Sequence, residues 1–121
     1  MTSGPLIYLV SPYNHNDPRV REHRFDQVCL CASRLMNKGH FIFSPIAHTH
    51  PIAAYGLPKG WEFWERYDTA IIERVDEVWV LMIDGWEAST GVSAEICMAV
   101  RLGKPVWMVD PGTLNIVKEL T

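Results

Sequence analysis

Four short apolar runs without polar alternation constrain this 121-residue chain more than any other feature. They are Leu6-Ile7-Tyr8-Leu9-Val10, Phe41-Ile42-Phe43, the segment from Glu77 to Ile83, and Pro105-Val106-Trp107-Met108-Val109. A strand wet on one face alternates apolar with polar residues. A run that is apolar throughout belongs to a strand covered on both faces, as in a parallel sheet. Between the runs, apolar residues recur at helical spacing. Residues 19–38 place Val20, Phe25, Val28, Leu30, Ala32, Leu35 and Met36 in this way, with Gly39 as C-cap. Trp61 to Val75 does so with Trp64, Tyr67, Ile71 and Ile72. Gly91 to Leu102 forms a third helix, ended by Gly103. Ser11-Pro12 and Ser44-Pro45 stop the first two strands. Residues 46–60, with two prolines, two glycines and two histidines, read as a long loop of the kind that carries function. The tail from Thr113 to Leu120 reads as a short helix.

Alternation of strand and helix implies right-handed crossovers and helices on both faces of one sheet. The expected fold is therefore α/β: a Rossmann-like, three-layer α/β/α domain over residues 1–121, with a mostly parallel sheet of four to five strands. In such folds ligands bind beyond the carboxyl ends of the strands. That edge holds Ser11 to Arg21, Ser44 to Gly60 and Asp84 to Glu95, where most of the suggestive polar residues fall.

Charge narrows the partners. Eleven Lys and Arg stand against fourteen Asp and Glu, a formal net charge of -3. Without a basic excess, duplex nucleic acid is not an expected partner, whereas a small anion needs only a local positive field. No run approaches the ~20 apolar residues of a bilayer span. The N-terminus lacks the basic start and apolar stretch of a secretory signal, so the cytoplasm is the expected compartment. Three cysteines, Cys29, Cys31 and Cys97, do not make a disulfide framework and read as free thiols.

The chemistry concentrates in Ser89-Thr90-Gly91-Val92-Ser93-Ala94-Glu95, which follows a strand and opens a helix. Unpaired N–H groups and the helix dipole welcome an anion at such a start. Ser89 can cap the helix or donate to a phosphate, and Gly91 lets a ligand approach the backbone. Glu95, one turn further in, has apolar neighbours in Ala94, Ile96 and Cys97. Alternatively, Ser89 is a plain N-cap and Glu95 a solvated acid favoured by the dipole. Asp68 in the preceding helix and Tyr8 in the first strand add a second carboxylate and a phenol. Together the three meet the minimum for displacement at a sugar carbon with a separate acid. Taken singly, Asp68 reads equally as a surface acid near Arg66, and Tyr8 as a core residue.

These residues carry a resemblance to the nucleoside 2-deoxyribosyltransferase-like superfamily, which includes 2'-deoxynucleoside 5'-monophosphate N-glycosidases. It runs from about Ile7 to Val109. Ile7-Tyr8-Leu9 resembles that family's first strand, whose tyrosine orients the catalytic glutamate. The stretch from Asp68 to Asp76-Glu77-Val78 is similar to its helix-to-strand segment, whose acid sits near the nucleobase. Ser89-x-Gly91-x-x-x-Glu95 resembles its nucleophile motif, which implies that Glu95 is the nucleophile. Six residues before the glutamate, transferases on free nucleosides tend to have aspartate, and hydrolases of monophosphates have serine. Ser89 implies the second group, and a hydroxyl there attracts a phosphate that a carboxylate would repel. Arg19 and Arg21 are candidates for further phosphate contacts, or exposed arginines at a helix start. The chain departs from the family in having Ser11 where a glycine often follows the first strand, which bears on sugar or phosphate access. It departs again in Ala47-His48-Thr49-His50-Pro51. There His48 and His50 share a face if extended, and His48 is expected to contact substrate rather than a metal.

The expectation is thus hydrolysis of the N-glycosidic bond of a (deoxy)nucleoside 5'-monophosphate by Glu95, Asp68 and Tyr8. Ser11, Arg19, Arg21, Ser89, Gly91 and His48 would bind the substrate, with no metal and no cofactor. Base exchange between nucleosides and a non-catalytic nucleotide-binding module are the alternatives. Of the five tryptophans, Trp79 and Trp107 read as strand core, while Trp61 and Trp86 suit a base or a subunit contact. The resemblance further implies a homo-oligomer, dimer or tetramer.

Overall fold

A computed structural model of the chain describes residues 4–120. Five strands and four helices alternate along it: β1 (Leu6–Val10), α1 (Pro18–Asn37), β2 (Phe41–Phe43), α2 (Pro45–Ala53), α3 (Trp61–Ile72), β3 (Glu77–Leu81), α4 (Thr90–Arg101), β4 (Val106–Val109) and β5 (Ile116–Leu120). They build one sheet in the order β2-β1-β3-β4-β5. The first four strands are mutually parallel, and β5 runs antiparallel to β4.

Strand periodicity divides the core into two layers. Ile7 and Leu9 pack on the side of α1 with Val28, Ala32 and Leu35. Tyr8 and Val10 face the opposite way, against Ile72 of α3 and Val92, Met98 and Ala99 of α4. Helices therefore cover both faces of the central strands, as their uninterrupted apolar runs require. Tyr8 sits between Phe43 of β2 and Val78 of β3 in register, at the middle of the sheet.

Three sequence expectations are corrected. Residues 45–53 form α2 rather than loop. Ser44, read as a strand stop, is also a helix N-cap: its Oγ accepts from the Ala47 N–H at 3.1 Å, and Pro45 occupies the first turn, where its missing N–H costs nothing. The tail is strand β5, not helix. The Asp110 carboxylate accepts from the N–H groups of Gly112 and Thr113, and Leu114 takes a positive φ of 61°, so the chain reverses and returns along β4. Finally, Leu30 and Met36 lie outside the core face of α1 and are each 51% exposed, because Val28, Cys31, Ala32 and Leu35 already fill that stripe. Among the described residues no helix is long and apolar enough to cross a membrane.

Candidate active site

The centre of the site is set by strand and helix phase. Tyr8 is fully buried on the face of β1 that α3 and α4 cover. Glu95 is the sixth residue of α4, three positions beyond buried Val92 and three before buried Met98. That spacing places it on the inward stripe of the helix. Asp68 occupies the corresponding stripe of α3, four residues before Ile72. Glu95 and Asp68 are each only 7% exposed. The solvated-acid reading therefore fails for both, and Asp68 is not a surface partner of exposed Arg66.

The Tyr8 hydroxyl donates to Glu95 Oε2 at 2.5 Å, and Asp68 interacts with the same hydroxyl. Burial is the chief electrostatic force on all three, since it disfavours each charged form. It raises the Asp68 carboxyl to about 6, against the opposing hydrogen bond from Tyr8. It raises Glu95 to about 8, helped by the charge of Asp68 and opposed by the Tyr8 hydrogen bond. It also holds the Tyr8 phenol well above its ordinary value, helped by both carboxylates. Two carboxyls so placed do not ionise independently. Around neutrality the pair keeps one proton, so one acid and one carboxylate coexist in the same dry space.

The remaining candidates are placed unequally. Ser89 is the N-cap of α4, accepting from the Val92 N–H at 3.2 Å, which leaves its own O–H free to donate. Gly91 sits in the first turn, where a Cβ would meet only Ser89 Oγ at 3.8 Å; packing does not demand glycine there. Ser11, just beyond β1, is 4% exposed, and its buried Oγ has no hydrogen-bond partner among the described residues. Arg19 is paired with Asp17 at 3.0 Å, with its side chain 91% exposed. Arg21 donates to the carbonyl of His15. The partners of both arginines thus lie within the loop after β1. His48 is exposed and reaches the site through rings: it lies 5.8 Å from Phe43, which lies 6.0 Å from Tyr8. In helical rather than extended backbone, His48 and His50 point apart. Among the described residues no three metal-ligating side chains gather.

Trp79 is buried in the sheet and Trp107 partly so. Trp61 is 43% exposed at the start of α3, and Trp86 packs on the apolar layer that contains Tyr8. Two surface hollows lie elsewhere, one around Arg66 and Thr69 and one around Leu6 and Phe41. The sequence reading missed a chain of contacts formed by Glu22, His50 and Tyr13. It also missed Arg24, whose guanidinium holds the Asn14 carbonyl at 2.8 Å and lies against Gly85. A Cβ at position 85 would collide with that guanidinium, and its φ of +93° favours glycine independently.

The model of the DUF1937 family, described as a domain of unknown function, matches residues 5–110. No curated protein matches the chain. The solved structure of a 2-deoxyribosyltransferase from the psychrotolerant bacterium Bacillus psychrosaccharolyticus is similar, with a TM-score of 0.62 and 27% identity. The similarity covers 87% of this chain and 72% of that one. The chain belongs to the DUF1937 family, on a fold similar to that of 2-deoxyribosyltransferase.

Proposed function

We propose that the protein cleaves the N-glycosidic bond of a (deoxy)nucleoside 5'-monophosphate. The observation that carries this reading is the buried contact of Tyr8 with Glu95, with Asp68 on the same hydroxyl. In the first step a Glu95 oxygen bonds to C1' of the sugar as the bond from C1' to the base nitrogen breaks. The Asp68 carboxyl, having first received the pair's single proton from Glu95 so that Glu95 attacks as a carboxylate, gives that proton to the departing base. In the second step water attacks C1' and passes a proton to Asp68, and Glu95 leaves as a carboxylate. Dividing one displacement into two is what a carboxylate nucleophile offers. The hydroxyl of Tyr8 keeps the attacking carboxylate in one orientation and favours its charged form.

Phosphate preference is supported by the start of α4, where the Ser89 O–H is free to donate and the first N–H groups have no partner within the helix. Arg19 and Arg21, in the first turn of α1, serve as further phosphate ligands, reached when they exchange their present partners.

Base exchange is the second reading, favoured by the similarity to a 2-deoxyribosyltransferase. It differs only in that a second base, not water, resolves the sugar ester. Incubating the protein with nucleosides and 5'-monophosphates, with and without an acceptor base, tests both. Free base from monophosphates without acceptor supports hydrolysis, and a new nucleoside only with acceptor supports exchange. Thermal stabilisation by nucleotides without any released base sinks both and leaves a binding module.

A further inference from the structure

Beyond Tyr8, a second chain of polar side chains links three elements at the same sheet edge. Glu22 of α1 lies 2.8 Å from His50 Nε2, and the Tyr13 hydroxyl lies 2.7 Å from His50 Nδ1. The imidazole is also held by rings. Phe25 stacks on it at 4.1 Å between centroids with 22° between planes, and Tyr13 meets it edge-on at 5.6 Å.

These contacts fix the proton positions of neutral His50. A carboxylate only accepts, so Nε2 carries the hydrogen and Nδ1 is the acceptor. The phenol of Tyr13 must then donate inward. Its oxygen is left as an acceptor, strengthened by the chain behind it, with the Arg21 guanidinium beside it. Glu22 is 59% exposed, and an ion pair that wet contributes little to stability, so the arrangement orients Tyr13 more than it holds the fold. An independent observation lies two residues earlier. The buried Ser11 hydroxyl lacks any partner among the described residues, which in a native fold calls for a group from outside. The same loop thus presents a directed acceptor and an unmatched hydroxyl, directly after the strand whose Tyr8 orients Glu95. An oxygen left as an acceptor takes an O–H donor, which a sugar hydroxyl supplies, and Glu95 must be within reach of a sugar carbon.

We propose that Tyr13, oriented by His50 and Glu22, accepts a hydrogen bond from a hydroxyl of the substrate's sugar. Tyr13 is then a specificity-determining residue, and His50 and Glu22 are positioning residues. The proposal rests on the nucleotide reading given above.

The test measures affinity calorimetrically on the full chain carrying Glu95→Gln, so that no ligand is consumed. The probes are a nucleoside 5'-monophosphate and its 2'-deoxy, 3'-deoxy and 2',3'-dideoxy counterparts. Loss of the recognised hydroxyl is expected to weaken binding about tenfold. Adding Tyr13→Phe abolishes that ratio while leaving the dideoxy affinity in place, and Glu22→Ala, at an exposed position, reduces it. A ratio untouched by Tyr13→Phe overturns the proposal, as does an equal weakening of all four ligands, which marks a structural role. Binding of none of the four defeats the nucleotide reading itself, and this inference with it.

Discussion

Tyr8 and Glu95, 87 residues apart in sequence, are joined by a hydrogen bond of 2.5 Å from phenol to carboxyl in the interior of the domain. The contact spans two elements that have no reason to meet except packing: β1 contributes its α4-facing side, and α4 its inward stripe. A buried carboxyl is costly to ionise, and a phenol that donates to it lowers that cost without neutralising it. With Asp68 alongside, the cluster brings an acid and a carboxylate together in one buried site, which is the requirement for acid-assisted displacement.

Glu95→Gln keeps the size of the side chain and its place against Tyr8 while removing the nucleophile. Base release from a 5'-monophosphate is expected to fall at least ~10³-fold, with far-UV circular dichroism unchanged. Turnover near the wild-type rate removes Glu95 from the mechanism.

The pair is productive when it holds one proton. With Asp68 raised to about 6 and Glu95 to about 8, the rate is expected to rise through the lower value, peak near neutrality and fall above the higher one. Tyr8→Phe removes a hydrogen bond that lowers both groups, so both limbs move to higher pH. A profile in Tyr8→Phe that superimposes on the wild type argues against coupling through the phenol.

Stability carries the same signature. Folded, Glu95 keeps its proton up to about 8, whereas the unfolded chain releases it near 4.5. Between these values the folded state binds more protons, so its advantage is complete at low pH and is lost as pH rises through the folded value. Glu95→Gln escapes that loss. Its melting temperature relative to wild type should climb by roughly 5 °C or more between pH 5 and pH 8. A constant difference means that Glu95 titrates like an exposed acid.

Much of this could be read from local pattern, and the exceptions have physical causes. The apolar runs around Leu9, Val80 and Met108 dictated a sheet covered on both faces. The burial of Glu95 stayed open beside its solvated alternative, because its neighbour Cys97 is itself exposed and only the spacing from Val92 and Met98 sets the inward stripe. Helix α2 was missed because Ser44-Pro45 ends a strand as well as it starts a helix, and local sequence does not choose between the two. Strand β5 was missed because its direction is set by the Asp110 turn, while Ile116 and Val117 are exposed and have no core pattern. The Glu22–His50–Tyr13 chain was invisible because its contacts span 28 and 37 residues and depend on how α2 lies against α1. Arg19 pairs with Asp17, the N-cap of α1, a contact two residues away that its suggested ligand role did not foresee.

Ser89 offers the cleanest separation of phosphate recognition from folding. Its hydroxyl caps α4 through the Val92 N–H, and aspartate caps a helix as well as serine does. Ser89→Asp is therefore expected to keep the melting temperature within a few degrees while placing a negative charge at the start of the helix. A bound 5'-phosphate there meets a carboxylate instead of a donor, and affinity for the monophosphate should drop by at least about tenfold. The unphosphorylated nucleoside, which brings no charge to that end of the site, should bind Ser89→Asp and wild type alike. If the two ligands weaken equally, or neither does, the phosphate does not sit at α4. Ser89 then serves only as a cap, and the preference for monophosphates must be sought on Arg19 and Arg21 at the start of α1.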